Sequence, residues 1–416
     1  LRGEVVDGAG TAGAKAPTEK DTDILFVPVS ENGSKKKIIV IGAGPGGYVT
    51  AIKAAQLGAD TVIIESENVG GTCLNIGCIP TKALIHASSL YRSVLTEAKK
   101  VGVHISDISI DWKETQKYKN SVVNRLVDGV DRLLKANGVK KYKGRGVVVD
   151  PHTVAVNGER ISADYIILAT GSEAVHLNFP GADLPGVIDS TQALDLEDIP
   201  KSLVIIGGGV IGVEFASLYS TLGSEVTVIE MTPEILPFMD DDMTARMRAA
   251  MKDITFELGC RVESLEGATI HYSKGEEKKS LEADVILMAV GRRSATQGWG
   301  GEEAGLEINR GIVVDDCMRT NLPNVWAIGD VTGRSLLAHA AYRMGEIAAA
   351  NILDPQASKR GEVMRWNTVP WAVFSIPEAA GVGLTESAAK REGRDVLVAK
   401  VPAQMSGRFI AENGFK

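Results

Sequence analysis

Two cysteines, Cys73 and Cys78, lie five positions apart in a glycine-rich segment, and their type and spacing suit redox chemistry. At the start of a helix, cysteines at this spacing can meet across a distorted first turn and close a small disulfide ring. A helix N-terminus also stabilises a thiolate, because its backbone N–H groups carry partial positive charge. The alternative is a pair of buried thiols with no redox function. Cys260 and Cys317 have no cysteine near them in the sequence, and we interpret them as structural.

A strand–turn–helix–strand pattern precedes the cysteine pair, at residues 38–41, 42–47, 48–57 and 61–65. Its turn fits G-x-G-x-x-G at Gly42, Gly44 and Gly47, with Pro45 between them. The first glycine permits the tight turn, the second lets a pyrophosphate approach the backbone, and the third lets helix and strand pack closely. The N–H groups at the helix start would face the phosphates, and Glu65 would accept hydrogen bonds from a ribose. The pattern therefore predicts a dinucleotide-binding unit.

The same pattern recurs at residues 203–206, 207–212, 213–222 and 225–230. Because the same number of positions separates Gly42 from Glu65 and Gly207 from Glu230, we interpret it as a duplicated unit. An acidic residue at the second strand's end favours NAD, since NADP would require a nearby arginine and residues 228–233 contain no Arg or Lys. Two units imply a tightly bound flavin and an exchangeable nicotinamide, unless the second site has decayed. The candidate residues of the second unit are Gly207, Gly209, Val210, Ile211, Gly212 and Glu230.

Composition and charge argue against several classes of protein. The formal net charge of −8 does not suggest the basic stripe that a nucleic-acid-binding protein carries. No apolar run reaches the ~18 residues that would span a membrane, and residues 1–36 lack the apolar core of a signal peptide. We therefore expect a cytoplasmic protein that binds no nucleic acid, membrane or metal. The length of 416 residues predicts two or three domains.

The segment at 70–82, GGTCLNIGCIPTK, resembles the redox-active motif of the pyridine nucleotide–disulfide oxidoreductases, and within them most closely that of the dihydrolipoamide dehydrogenases. The resemblance extends over residues 37–416, in order and without large gaps. It predicts an α/β fold with two Rossmann-like dinucleotide-binding domains, one for FAD and one for NAD, and a truncated α+β interface domain. The predicted regions are a linker at 1–36, an FAD-binding domain at 37–180 and 313–365, a NAD-binding domain at 181–312, and the beginning of a dimerisation domain at 366–416.

The resemblance assigns catalytic roles to four residues. It implies that Cys78 is the cysteine nearer the flavin, where it forms the charge-transfer thiolate, and that Cys73 exchanges with the dithiol substrate. Lys82 matches a lysine beside the flavin, and Glu214 matches the glutamate that pairs with it. Without the resemblance, Lys82 and Glu214 would be interpreted as ordinary charges on helix surfaces.

The resemblance also assigns residues to the cofactors. Asp330 matches the aspartate that binds the flavin ribitol, and the segment 336–339 matches one that contacts the flavin. Gly146 and Gly171 match positions near the adenosine half of FAD, and Gly291 lies where the nicotinamide would pass. Outside this context, Gly329-Asp330 would be a common turn and His339 an ordinary histidine. The other residues assigned to the cofactors are Thr72, Thr170, Gly329, Leu337, Ala338 and His339.

The implied activity is oxidation of protein-bound dihydrolipoyl groups to lipoamide, with reduction of NAD+ to NADH through a Cys73–Cys78 disulfide and FAD. The implied partners are the lipoyl domains of 2-oxoacid dehydrogenase or glycine cleavage complexes, and the complete protein would be a homodimer. One alternative is another flavin disulfide reductase of the glutathione or mercuric reductase type. Those enzymes use NADPH, which Glu230 argues against. A second alternative is a non-catalytic flavin-binding subunit.

The chain departs from the family at its C-terminal end. The family's interface domain carries a His-Pro motif whose histidine acts as a base on the substrate dithiol, with a glutamate after it. None of the six histidines of this chain follows His339. We therefore expect the chain to be C-terminally incomplete, with flavin chemistry retained and most lipoamide turnover lost. At the other end, the Gly- and Ala-rich stretch within 1–36 suggests the hypothesis that it tethered a lipoyl domain.

Overall fold

A computed structural model describes residues 35–413 of the chain. The linker predicted at 1–36 therefore lies outside the described residues except for its last two positions. The last three residues of the predicted dimerisation domain, 414–416, also lie outside them. From Lys36 onward, the described residues belong to one compact unit. None of its helices is both long enough and apolar enough to cross a membrane.

The described part of the chain contains ten α-helices and twenty β-strands. The helices are α1 (Pro45–Gln56), α2 (Gly71–Ile76), α3 (Cys78–Thr96), α4 (Trp112–Ala136), α5 (Ser190–Ala193), α6 (Val210–Thr221), α7 (Asp241–Ala250), α8 (Ala338–Leu353), α9 (Glu386–Arg391) and α10 (Gly407–Asn413). The strands are β1 (Lys37–Ile41), β2 (Asp60–Glu65), β3 (Lys140–Lys143), β4 (Val147–Asp150), β5 (Thr153–Val156), β6 (Glu159–Ser162), β7 (Tyr165–Leu168), β8 (Ser172–Ala174), β9 (Val187–Ile188), β10 (Ser202–Ile206), β11 (Glu225–Glu230), β12 (Ile254–Leu258), β13 (Arg261–Glu266), β14 (Thr269–Lys274), β15 (Glu277–Glu282), β16 (Val285–Met288), β17 (Arg292–Ser294), β18 (Val325–Ala327), β19 (Pro370–Val373) and β20 (Ala379–Val382).

The first dinucleotide-binding pattern forms a parallel sheet with the strand order β18-β7-β1-β2-β3. In its register Ile39 pairs with Val62 on one side and with Ile166 on the other. Residues 38–41 of β1 are all buried, as expected for a parallel strand covered on both faces. Helices α1 and α8 pack closely against each other beside this sheet.

The second pattern forms a second parallel sheet with the order β12-β11-β10-β16-β9. Here Val204 pairs with Thr227 and Ile286, so β10, β11 and β16 repeat the arrangement of β1, β2 and β7. In both sheets the glycine turn follows a central strand, with a parallel neighbour on each side. The crevice at such a position is where open α/β sheets bind ligands. The predicted α/β class with two Rossmann-like sheets is confirmed, whereas the exact domain boundaries stay a prediction.

The structure corrects three predicted element boundaries. Helix α1 begins at Pro45 rather than at residue 48, because proline is well tolerated in the first turn, where its missing N–H would have had no helical partner. Helix α6 likewise begins at Val210 rather than at residue 213. The apolar run at 325–330, whose sequence predicts a strand ending in Gly-Asp, forms a strand only as far as Ala327, and Gly329, with φ +71°, starts a turn of 3₁₀-helix.

A buried polar contact joins the two units. The segment 193–196, which leads from the first sheet to the second, accepts hydrogen bonds from Trp112 and Lys119 of α4, each at 2.8 Å. Tyr219 of α6 donates to the same segment at 2.6 Å. The Lys119 side chain is only 2% exposed and also pairs with the carboxylate of Asp195. Because this segment connects the two units, these hydrogen bonds fix the position of β10, the first strand of the second pattern, relative to α4 of the first unit.

Candidate active site

A cleft of about 2790 Å³ runs along both glycine turns and past both cysteines. It is lined by 23 of the 25 residues predicted for the site; the exceptions are Gly47 and Gly212. A Cβ on Gly47 would lie 1.9 Å from the carbonyl oxygen of Gly42, and one on Gly212 would lie 2.0 Å from that of Gly207. These two glycines therefore let the helix pack on the turn, the task predicted for the third glycine of the motif.

The lining residues come from nearly every element at this edge of the two sheets. From the first unit, the β1–α1 segment supplies Gly42, Gly44 and Pro45, and β2 supplies Glu65. Helix α2 supplies Thr72 and Cys73, helix α3 supplies Cys78 and Lys82, and loops supply Gly146, Thr170 and Gly171. From the second unit, the β10–α6 segment supplies Gly207, Gly209, Val210, Ile211 and Glu214, strand β11 supplies Glu230, and the loop after β16 supplies Gly291. The chain after β18 supplies Gly329, Asp330, Leu337, Ala338 and His339. The structure thus brings the predicted residues together, and their individual roles stay predictions.

The two cysteines sit on consecutive helices rather than in one distorted turn. Cys73 lies in α2, and Cys78 is the first residue of α3. Gly77 breaks the helix between them, and a Cβ there would lie 2.9 Å from the carbonyl oxygen of Thr72. Both cysteines are unbonded thiols, which is the reduced form of the predicted pair.

The surroundings of the two thiols differentiate them. The hydrogen bond from Cys73 and the positive charge of Lys82 lower the pKa of Cys78 to about 7. The same hydrogen bond, together with burial, raises the pKa of Cys73. Cys78 is therefore the thiol of the reduced pair that loses its proton more readily. This agrees with the assignment of Cys78 as the charge-transfer thiolate and of Cys73 as the exchanging thiol.

Lys82 and Glu214 form an ion pair between the two units. The Nζ atom of Lys82, one turn after Cys78 on α3, donates to both carboxylate oxygens of Glu214 at 2.9 and 2.7 Å. Glu214 lies on α6 with its side chain only 5% exposed. A backbone N–H at Phe374 donates to the same carboxylate at 3.0 Å. A buried carboxylate needs such partners to remain charged. The predicted Lys–Glu pair is thus present in the structure, and these contacts compensate for the burial of Glu214.

Asp330 is held by a network that the sequence did not predict. The hydroxyl of Ser172 donates to its carboxylate at 2.6 Å, and Nε of Arg292, the residue after Gly291, donates to Ser172 Oγ at 2.9 Å. Burial raises the pKa of Asp330 and lowers the pKa of Arg292. Ser172 follows the predicted Thr170-Gly171 pair directly. Because its partner lies 158 positions away, no local pattern indicated the contact.

The two glycine turns fit the phosphates of two dinucleotides. Gly42 and Gly207 adopt φ +100° and +111°, which L side chains rarely adopt. Neither α1 nor α6 has a side chain that caps its N-terminus, so their first N–H groups remain available to an anion. Glu65 and Glu230 each accept a hydrogen bond from the second residue of the adjacent turn, at 2.6 and 2.5 Å. Each carboxylate thus lies beside the turn, where a ribose would reach it.

Comparison with known proteins agrees with this site. The pyridine nucleotide-disulphide oxidoreductase family matches residues 36–345, and the dimerisation domain of the same family matches residues 369–416. The chain belongs to the pyridine nucleotide-disulphide oxidoreductase family. The second match falls within the region where a dimerisation domain was predicted.

Among its curated relatives are two enzymes named dihydrolipoyl dehydrogenase. The one from Geobacillus stearothermophilus is 41% identical, over 92% of this chain and 83% of the relative. The one from Pseudomonas aeruginosa is also 41% identical, over 92% of this chain and 84% of the relative. Among solved structures, the Cu(II) complex of the HOCl-induced flavoprotein disulfide reductase RclA from Escherichia coli is similar, with a TM-score of 0.79 and 30% identity over 92% of this chain and 85% of that one.

These findings confirm the predicted family, and with it an oxidoreductase whose cofactors are FAD and NAD. They do not favour a reductase of the glutathione or mercuric type, or a non-catalytic flavin-binding subunit. The resemblance, which is most specific at residues 70–82 and extends over 37–416, thus agrees with comparisons that cover nine-tenths of the chain.

Proposed function

We propose that this protein oxidises protein-bound dihydrolipoyl groups to lipoyl disulfides and reduces NAD+ to NADH. The observation that carries the proposal is the pair of thiols, Cys73 and Cys78, whose pKa values are shifted in opposite directions. Both lie on the wall of a cleft between two dinucleotide-binding units. The relatives named dihydrolipoyl dehydrogenase support the substrate. Glu230, with no arginine beside it, supports NAD over NADP.

The thiol chemistry follows from the difference between the two cysteines. In the oxidised enzyme a thiolate of the dihydrolipoyl group attacks Sγ of Cys73, the Cys73–Cys78 bond breaks, and Cys78 leaves as a thiolate. The second substrate thiol, once deprotonated, attacks the substrate sulfur of this mixed disulfide. The lipoyl disulfide closes, and Cys73 takes up a proton. Because a thiol of lower pKa is the better leaving group, a lowered pKa favours Cys78 in the first step.

The remaining residues hold and orient the cofactors. In the proposed assignment Gly42, Gly44, Glu65 and Asp330 hold FAD, while the turn at 207–212 and Glu230 hold NAD. Bound FAD supplies the two-electron chemistry that couples the thiol pair to NAD+. Lys82 keeps a positive charge beside Cys78, and the buried Glu214 keeps Lys82 in place.

The partners follow from the same assignment. The dimerisation-domain match at 369–416 supports a homodimer. The lipoyl domains of 2-oxoacid dehydrogenase or glycine cleavage complexes are the proposed substrates, since dihydrolipoyl groups are carried there. The domain boundaries given above and the cytoplasmic location stay predictions.

An anaerobic visible spectrum, titrated with NADH, tests the proposal. The purified protein should be yellow, and two-electron reduction should produce a long-wavelength absorbance that requires the Cys78 thiolate. The variant Cys78→Ser should keep the yellow colour and lose that absorbance. Cys317→Ser, which removes a buried cysteine away from the cleft, is the matched control and should behave like the parent. A colourless protein, or a bound flavin that NADH fails to reduce, would contradict the proposed function.

A further inference from the structure

The β19–β20 hairpin lies at the start of the region that matches the dimerisation-domain family, and it packs on the Lys82–Glu214 ion pair between the two units. Its residues 370–376 lie against α6, with Val373 fully buried. Besides the bond from the Phe374 N–H to Glu214, the N–H of Ile376 donates to the hydroxyl of Ser217, one turn further along α6, at 2.8 Å. Two backbone bonds therefore fix this short segment on the helix that carries Glu214.

The side chain of Phe374 completes the surroundings of Lys82. The Nζ atom of Lys82 lies over the ring of Phe374, 4.7 Å from its centroid. An ammonium within about 6 Å of an aromatic face is attracted by the ring quadrupole. On another side the same ammonium is bound by both oxygens of Glu214. The ring is 40% exposed and lines the cleft, so it is not held there by burial alone.

We propose that Phe374 is a positioning residue, which holds the Lys82 ammonium against Glu214 and thereby sets the charge beside Cys78. The inference rests on the proposed function, since it concerns the same thiol pair. It gives the hairpin a second task besides any part in dimerisation. One residue contacts both members of the pair, its backbone N–H binding Glu214 and its ring covering Lys82.

A different aromatic residue of the cleft supplies a matched control. Phe238 also lines the cleft and is 38% exposed, close to the value for Phe374. Its ring packs edge-on against Trp371, with 5.1 Å between the centroids, rather than over a cation. A change of Phe238 to leucine therefore alters a comparable apolar surface of the cleft, and one that packs on the same hairpin, while it leaves the ring above Lys82 in place.

The test is a pH profile of the Cys78 thiolate in the FAD-bound protein. In a Cys73→Ser parent, whose serine keeps a hydroxyl donor, the rate of iodoacetamide alkylation at each pH reports the pKa of Cys78. Phe374→Leu should raise this pKa by about half a unit, as expected for a weakened cation–π contact. The reason is that Lys82, without the ring above it, becomes more mobile and more solvated. Phe374→Tyr should restore the parent value, and Phe238→Leu should leave it unchanged.

A second background separates positioning from general loosening of the cleft. With Lys82→Met present, Phe374→Leu should no longer shift the pKa of Cys78. Two results would overturn the role of Phe374. One is that Phe374→Leu leaves the pKa of Cys78 unchanged or lowers it when Lys82 is intact; the other is that it raises this pKa equally with Lys82 intact and with Lys82→Met. The proposed function is judged on the parent alone. A parent without bound FAD, or with a Cys78 that titrates as an ordinary thiol, would count against that function, whatever Phe374 does.

Discussion

The two dinucleotide-binding units share one backbone design but differ in what surrounds their glycine turns. In the first unit, a Cβ on Gly46 would lie 3.3 Å from the side chain of Ile328, and Gly44 faces Gly71 of α2. In the second unit, a Cβ on Gly209 would have no atom within 4 Å. The first turn is therefore enclosed by other elements, whereas the second is open at Gly209. Under the proposed assignment of FAD to the first unit and NAD to the second, this difference suits a retained flavin and an exchangeable nicotinamide cofactor.

The enclosure of the first turn comes from α8. Gly345 of α8 lies so close to α1 that a Cβ on it would be 2.2 Å from the hydroxyl of Thr50. The fifth position of the motif is Gly46 in the first unit and Ile211 in the second. A Cβ on Gly46 would lie 3.4 Å from Ala341 of α8, whereas the side chain of Ile211 packs against the hydrophobic core of the second unit. The same motif position thus carries glycine where α8 approaches the first turn and an apolar side chain in the second unit.

The largest effects are expected at the third glycine of each motif. Gly47→Ala and Gly212→Ala both place a methyl group within about 2 Å of a carbonyl oxygen, and each should cost about 3 kcal/mol or more, because the helix must move off its turn. Gly47→Ala should yield protein that does not retain FAD. Gly212→Ala should remain yellow but show a large loss of NADH affinity. Flavin content after gel filtration and NADH titration measure the two outcomes.

These paired variants also test the assignment of the cofactors to the two units. If Gly212→Ala lost its flavin while Gly47→Ala kept it, FAD would belong to the second unit rather than the first. If both lost flavin equally, the two turns would not act independently. A stability measurement by denaturant unfolding separates a local binding defect from general unfolding.

A smaller effect is expected from the contact that joins the units. Lys119→Met removes the cation from a buried site, where its Nζ binds the carbonyl of Leu194 and the carboxylate of Asp195. Loss of these bonds should reduce the free energy of unfolding by about 1–3 kcal/mol. It should weaken NADH binding more than FAD binding, because the released segment leads into the second unit. Lys117→Met, on an exposed position of the same helix, should change stability by less than about 0.5 kcal/mol.

The parts of the site that were predictable are those encoded within one short segment. Glycine turns, buried strands and their closing glutamates lie within a single strand–turn–helix–strand unit, so their spacing could be interpreted directly. The helix starts at Pro45 and Val210 were misplaced by three residues each, because the turn and the first helical turn share the same glycine-rich residues. A local pattern thus predicts the existence of an element better than its boundary.

The contacts that link distant segments were not predictable from local patterns. Lys82 and Glu214, 132 positions apart, were paired only through the family resemblance. Phe374 binds Glu214 across 160 positions, and no motif indicated it. The buried Lys119 would have been interpreted as a solvent-exposed charge. In each case the three-dimensional arrangement of the sheets, rather than the sequence spacing, determines the partner.

The carboxylates at the strand ends should reveal a moderate difference between the units. Glu230→Gln should weaken NADH binding roughly tenfold, because an amide replaces one of the acceptor oxygens available to a ribose. Glu65→Gln should leave FAD bound in stoichiometric amount, since many other contacts enclose the first site. NADH affinity and flavin content in the same preparations measure both effects. Comparable fractional losses in the two variants would contradict the idea that enclosure distinguishes the sites.

The smallest effect on stability is expected at Gly209. Its φ of −75° is accessible to any residue, and its Cβ would lie in open space. Gly209→Ala should therefore change the free energy of unfolding by less than about 0.5 kcal/mol. The added methyl group would occupy the space beside the helix N-terminus, so NADH binding should still weaken.

Gly71→Ala, at the start of α2 where this helix meets the enclosed turn, provides the contrast. Gly71 has φ +54°, and its Cβ would lie 2.6 Å from Cα of Gly44, so this variant should lose both stability and flavin. Urea unfolding and NADH titration of the two variants form one experiment. A stable Gly209→Ala protein with weakened NADH binding would show that glycine there serves the ligand and not the fold. Unchanged NADH affinity would mean that the pyrophosphate does not approach this turn, and the open site would need a different occupant.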